Sequence, residues 1–179
     1  MFSDNTLTPK EAIRLCALGA VAQEPMRYAA LANAIRHFVS RVLGPSLDVM
    51  GASVEMLKYE GLIKAVDGVG LEDDAEFTIT DRGREELRNL LTARIRIGAT
   101  ELNKLVFALK FRFLHLLNKD EQRFQADLLV EACDNELVRL DDLRRFHAGD
   151  AGYLTDWLDH DIGQLEVRQV WLQSFRDGL

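Results

Sequence analysis

Residues 57–87 read LKYEGLIKAVDGVGLEDDAEFTITDRGREEL, and the order of signals within this stretch decides the fold. Leu57 closes a helical stripe begun by Leu47, Met50 and Val54. Gly61 stands where a helix end favours glycine, because the stop needs a left-handed backbone. Leu62 to Val66 then reads as a short strand, followed by a turn-rich loop holding Gly68, Gly70, Glu72, Asp73 and Asp74. Glu76 to Thr80 alternates with period two, which sets Phe77 and Ile79 on one side and the polar residues on the other. Thr80 or Asp81 caps the helix that begins Arg82-Gly83-Arg84-Glu85-Glu86-Leu87.

Upstream, Thr8-Pro9-Lys10-Glu11 opens a first helix. The Thr hydroxyl and the Glu carboxylate each satisfy a free backbone N–H, and Pro at the first helical position has none to satisfy. Ile13, Leu15, Cys16, Leu18 and Val21 carry this helix to the neighbourhood of Gln23. A second helix runs from Arg27 to Leu43 on Tyr28, Leu31, Ile35, Phe38 and Val42, and Gly44-Pro45 stops it. A third spans Ser46 to Glu60. Three helices, a two-stranded hairpin and a fourth helix are the order of a winged helix-turn-helix, in which the third helix crosses a DNA groove beside the hairpin, or wing. Beyond it the chain reads as helical. The stretch 100–117 is apolar on more than one face and so needs a packing partner. Asn118 with Glu121 caps a helix running to Phe146, and a last helix carries Trp157, Leu165 and Trp171.

The chain has 179 residues, with 22 Lys and Arg against 29 Asp and Glu, a net charge of −7. Residues 1–100 hold 12 basic and 14 acidic side chains, and 101–179 hold 10 and 15, so neither half has the basic excess of a strong nucleic-acid binder. At 47% hydrophobic the chain can bury a core, which excludes disorder as its main state. Cys16 and Cys133 lie far apart inside apolar helical patterns, which fits two buried thiols in a reducing cytosol rather than a disulfide framework or a zinc site. Met1–Lys10 has no apolar run that would make a signal peptide, and Lys110 and Arg112 interrupt the densest apolar stretch. A cytoplasmic location without membrane partners is expected.

On two of these segments the sequence resembles the PadR family of bacterial transcriptional regulators. Leu57-Lys58-Tyr59-Glu60-Gly61-Leu62-Ile63 looks like the helix-to-strand junction of PadR and MarR-like winged helices, and Phe77 to Leu87 looks like the second wing strand entering the next helix. The acidic-apolar helix after Asp120, then Trp157-Leu158 and Trp171-Leu172, is similar to the helical domain of longer PadR members. The resemblance implies a mainly α fold. It places a winged helix-turn-helix DNA-binding domain over 1–95 and a helical dimerisation domain over 96–179. It also implies a homodimer that presents two third helices to operator DNA about one turn, roughly 34 Å, apart. Many members respond to small aromatic compounds, so a small-molecule effector of open identity is implied. The family's Gly-Thr-Leu-Tyr-like start of the third helix is replaced here by Asp48-Val49-Met50-Gly51.

Phosphates must be neutralised before bases can be read. The candidate DNA-binding residues are Arg27 and Tyr28 at the start of the second helix, Ser46, Ala52, Ser53 and Lys58 on the third, and Lys64 on the first wing strand. Arg36 and Arg41 would extend this surface. Tyr28 has two readings, a phosphate contact or a core ring. Ser53 offers a hydrogen bond and Ala52 a thymine-methyl contact, but the exposed positions lack the Arg, Asn or Gln of bidentate base readout. Asp67, Glu72, Asp73, Asp74 and Glu76 make the wing acidic, so it is expected to stay out of the minor groove. Arg82, Arg84, Arg88, Arg94 and Arg96 suit local salt bridges or DNA contact.

No enzyme motif competes with this reading. His147 with Asp150, and Asp159-His160-Asp161, match no metal template, Gly68-Val69-Gly70 lacks the helix a phosphate site requires, and no cofactor is expected. Leu105, Leu109, Phe113, Trp157, Leu165 and Trp171 are the candidate dimer-interface residues. Phe107, Phe111, Phe113, Phe124, Trp157 and Trp171 suit either core and interface packing or an effector pocket. The alternative function is a winged-helix module that has lost sequence-specific DNA binding and contacts a protein, as the acidic wing and weakly basic third helix suggest.

Overall fold

The computed structural model describes residues 6–44, 51–66, 75–96 and 101–179, with backbone alone for 51–53. Helix α1 (Pro9–Gln23) starts at the expected capping box: Glu11 N donates to Thr8 Oγ1 at 3.3 Å, and Thr8 N donates to Glu11 Oε2 at 2.7 Å. Its residues from Ala12 to Val21, apart from Arg14, are buried, so α1 is the rod around which the first half packs. Strand β1 (Met26–Arg27) follows Pro25, and α2 (Tyr28–Leu43) ends at Gly44 with φ +85°. Helix α3 (Gly51–Tyr59) is shorter than the expected 46–60; residues 45–50, and Ser46 with them, lie outside the described part.

The end of α3 is a double-bonded stop. Leu62 N donates to Leu57 O at 2.9 Å and Gly61 N to Lys58 O at 3.0 Å, with Gly61 at φ +71°. This pairing satisfies two carbonyls that the last turn would otherwise leave bare. Strand β2 (Ile63–Ala65) then pairs antiparallel with β3 (Glu76–Ile79), Ile63 opposite Ile79 and Ala65 opposite Phe77. The wing expected as two strands gains a third, because β1 pairs with the other edge of β3 to give the order β1-β3-β2. Two residues are too few to show periodicity, so only the partner strand reveals β1.

Thr80 ties the hairpin to α4 (Asp81–Leu91). Its Oγ1 accepts from Gly83 N at 3.0 Å and lies 2.8 Å from Gly61 O, to which it donates, while Thr80 N donates to Leu62 O at 3.0 Å. One residue thus caps α4 and latches the stop of α3.

Helix α5 (Glu101–Phe113) and a short 3-10 turn (Leu114–Leu116) return to α1 and α2. Here an expectation is corrected. Leu105, Leu109 and Phe113 are buried in the chain's own core, Leu109 and Phe113 completely, and such side chains offer a second subunit no surface. A Cβ built on Gly19 would stand 2.6 Å from the Phe113 ring, so the missing side chain on α1 is what admits this ring. The multi-faced apolar pattern of 100–117 finds its company inside the chain. These contacts make one compact unit of residues 1–94 and 100–116, past the boundary expected at 95/96.

The second unit is a helical hairpin of α6 (Lys119–Phe146) and α7 (Leu154–Asp177). Asn118 and Glu121 form the expected capping box. The cross-pairs Asp127–Arg176, Asp134–Gln169 and Arg144–Asp159 rise along α6 as they fall along α7, so the helices run antiparallel. Ala126, Leu129, Val130, Cys133 and Leu140 are buried on α6, as are Leu158 and Leu172 on α7. Leu165 is half-buried, and its carbonyl accepts from Cys133 Sγ at 3.5 Å, which marks its helix turn as facing α6.

Candidate nucleic-acid interface

Helix α3 is seated by Val54 and Leu57, both buried, and packs on α1, α2 and β2. Glu55, Met56 and Tyr59 fall on the opposite side and are exposed, Tyr59 at 89%. The outer face is therefore free of the chain's own elements along its described length, but its one charged group is an acid.

Positive charge lies instead on α2. Every titratable side chain of this helix outside Tyr28 is basic or imidazole (Arg36, His37 and Arg41), and all three are exposed. Among the described α-helices α2 alone carries no Asp or Glu. Asn33 accepts from Arg36 Nη1 at 2.9 Å, which holds that guanidinium along the face. In a helix-turn-helix this first helix lies against the DNA backbone, where an acid-free surface avoids repelling phosphates.

The candidates named from sequence distribute as follows. Arg27 is exposed at the junction of β1 and α2, opposite Glu76 in the sheet register. Tyr28 is half-buried and so sits between its two readings. Lys58 is half-buried with its ammonium 5.7 Å from the Phe77 ring centroid, at the edge of cation–π range, and Lys64 is exposed on β2. Ala52 and Ser53 lie in α3 with their side chains outside the described part, as does the wing loop 67–74; Glu76 is exposed. Arg82, Arg84, Arg88, Arg94 and Arg96 are all exposed.

Two devices hold the reading surface that sequence inspection did not single out. Arg14 on α1 bridges Glu60, at the end of α3, at 2.9 Å and Glu86 of α4 at 3.2 Å. Arg112 on α5 lies 4.6 Å over the Phe38 ring of α2 and 4.9 Å over Phe113. Both link α1 or α5 to the helix-turn-helix across long sequence separations, which no local pattern encodes.

The groups considered for other chemistry are spread apart. Among the described residues no three His, Cys, Asp or Glu side chains gather closely enough to hold a metal ion. His147 Nδ1 lies 2.6 Å from Asp150, Asp159 pairs with Arg144, and the Gln164 amide donates to His160 Nε2 at 2.8 Å. Burial pushes the Cys16 thiol up to about 11 and raises Cys133, so both stay protonated and unreactive at neutral pH. Of the aromatic set, Phe113 is core, while Phe124, Trp157 and Trp171 are exposed. No helix among the described residues is long and apolar enough to cross a membrane.

Compared with known proteins, residues 2–176 match the family model described as "Putative AphA-like transcriptional regulator". No curated protein matches the chain significantly. Solved structures similar to it include PadR, of the family that the sequence resembles. For Bacillus subtilis PadR the identity is 16%, with 96% of each chain covered and a TM-score of 0.41. For the same PadR in complex with operator DNA the identity is 19%, covering 96% of this chain and 100% of that one, with a TM-score of 0.38. The smu.1604c protein of Streptococcus mutans is 16% identical over 94% of this chain and 98% of its own, with a TM-score of 0.39. Because the family model spans the chain almost from end to end, the chain belongs to the AphA-like transcriptional regulators.

Proposed function

We propose that this regulator acts as a cytoplasmic homodimer on double-stranded operator DNA, without catalysis of its own. The outer face of α3 enters the major groove, and the acid-free face of α2 lies on the phosphates with Arg27, Lys58 and Lys64 beside it. The observation that carries this reading is the division of labour on the surface: α3 is bare but nearly chargeless, and Arg36, His37 and Arg41 line the neighbouring helix. Ser46, Ala52 and Ser53 complete the contact set. A small-molecule effector would act by changing the spacing of the two winged helices.

Fluorescence anisotropy with a duplex from the chain's own upstream region, titrated in salt, tests the reading. Binding is expected to weaken as salt rises. The Arg36→Ala/Arg41→Ala variant should flatten the log–log slope by about two units, since each lost phosphate contact removes about 0.9. The surface of Met56 and Tyr59 around Glu55 favours a second reading, contact with a protein. No binding of any duplex at about 50 mM salt, where phosphate contacts are strongest, would leave that second reading in possession.

The dimer rests on α7. Trp157 and Trp171 are 57% and 53% exposed, a large apolar area for one helix to leave in water. Trp157→Glu combined with Trp171→Glu is expected to give a monomer in sedimentation with its helix content intact. A dimer that persists in that variant would move the interface elsewhere.

A further inference from the structure

Helix α1 is buried along its middle except at one residue. Between Ala12 and Val21 only Arg14 keeps an opening to solvent, with 28% of its side chain exposed. Its guanidinium Nη2 donates to Glu60 Oε1 at 2.9 Å, and Nη1 lies 2.9 Å from Glu60 Oε2, so two arms of the fork meet both oxygens of one carboxylate. Nη1 also donates to Glu86 Oε1 at 3.2 Å. A fork against a carboxylate fixes a plane as well as a distance, which a single charge pair does not.

Glu60 stands at the end of α3, one residue beyond Tyr59 and one before the turn at Gly61. The other holds on this helix are of a different kind. Val54 and Leu57 are buried beneath it, and apolar burial is non-directional, so it resists lifting the helix more than turning or sliding it. The stop at Gly61 and the Thr80 latch fix the backbone after the helix to the start of α4. Arg14 adds a directional contact from that same turn to α1, the rod of the unit.

We infer that Arg14 is a positioning residue for sequence reading. The Arg14–Glu60 fork sets the angle at which α3 is presented, and so governs which sequence is bound rather than how strongly any duplex is held. This rests on the reading of α3 as the helix that enters the major groove. A hydrogen bond to a base edge is lost when its side chain shifts by about 1 Å, whereas attraction to phosphates falls slowly with distance. Arg14 thus acts through Glu60 and not on DNA.

The two glutamates are not equal. Glu60 takes both arms of the fork, and Glu86 one longer bond. Glu86 has Arg82 four residues before it on α4, and both line the polar cleft beside Arg14, so a second cation stands near Glu86. Among the described residues Glu60 makes no ion pair except with Arg14. Loss of Glu60 therefore reproduces the loss of Arg14, and loss of Glu86 does not.

The test compares a duplex that the unaltered chain selects from a random pool with a scrambled duplex of the same length and composition. The readout is the ratio of the two affinities by fluorescence anisotropy. Arg14→Gln should lower that ratio about tenfold, the scale of one mismatched base pair, with the scrambled duplex bound as before. Glu60→Gln should lower it equally, and the two together no further than either, because both remove one interaction. Glu86→Gln should leave it nearly unchanged. Arg14→Lys keeps the half-buried charge for the fold but gives up the fork, and its ratio should also fall below that of the unaltered chain. A purely structural role would lower the folded fraction for both duplexes alike and leave the ratio in place. An unchanged ratio in Arg14→Gln or Arg14→Lys that is folded by circular dichroism overturns the inference, as does a double variant whose losses add. Glu60→Gln that tightens both duplexes equally would show Glu60 to be only an acid near the phosphates, and overturns it too. If the unaltered chain selects no sequence from the pool, the DNA reading itself falls and the inference falls with it.

Discussion

Gly83→Ala destabilises the winged-helix unit by roughly 3 kcal/mol, at the upper end of what overpacking a tight site costs. A Cβ at Gly83 would stand 2.1 Å from Leu62 O and 2.8 Å from Ile79 Cγ1. The carbonyl cannot retreat, because Leu62 O accepts from Thr80 N and Leu62 N is held in the stop of α3. Moving α4 away would pull Gly83 N off the Thr80 hydroxyl and undo the cap. Helix propensity alone predicts the opposite sign, a gain of about 1 kcal/mol for alanine over glycine. Gly163→Ala supplies the contrast: it lies inside α7 with open space around its Cβ position, and there the propensity gain should appear. Urea denaturation of the two variants decides the matter, and a neutral Gly83→Ala would show that α4 does not sit this close to the turn.

Lys110 makes stability rise with pH. The side chain is fully buried on α5, its Nζ donates to Leu91 O at 2.7 Å, and burial lowers its pKa to about 7 from an ordinary 10.5. Leu91 is the last residue of α4, and a carbonyl there has no partner within its helix, so the lysine supplies a donor the helix end requires. Between pH 7 and 10.5 the unfolded chain holds a proton on this amine that the folded chain has released. Stability therefore climbs with pH across that window, by roughly 5 kcal/mol, and the cost of burying the charge is fully present below pH 7. Lys110→Met removes the titration and the hydrogen bond together. The difference in stability between the two chains should accordingly swing toward Lys110→Met as pH falls from 10 to 6. A difference flat in pH would mean that the amine keeps its water.

Both of these positions show where reading the chain stopped. Gly83 belongs to the very stretch that discloses the fold, yet in sequence it is only a poor helix former near a helix start. Lys110 and Arg112 served only to exclude a membrane span. Nothing local records that one is a buried donor and the other lies over the Phe38 ring of α2. Likewise the apolar faces of 100–117 announced a need for company without naming it. A second subunit and the chain's own α1 and α2 satisfy the same pattern, and Leu105, Leu109 and Phe113 turn out to be buried within the chain itself.

What the residues determined by themselves were the features made by neighbours two to five positions apart. These are the capping boxes at Thr8 and Asn118, the glycine stop at Gly61, the alternation of Phe77 and Ile79, and hence the order of a winged helix. Such contacts close within one turn or one strand, so their chemistry is written in adjacent letters. Only the tertiary structure decided the third strand, the partner of α5 and the necessity of Gly83. Each of those depends on which surfaces the packed elements cover, and burial is a property of the assembled chain rather than of any segment.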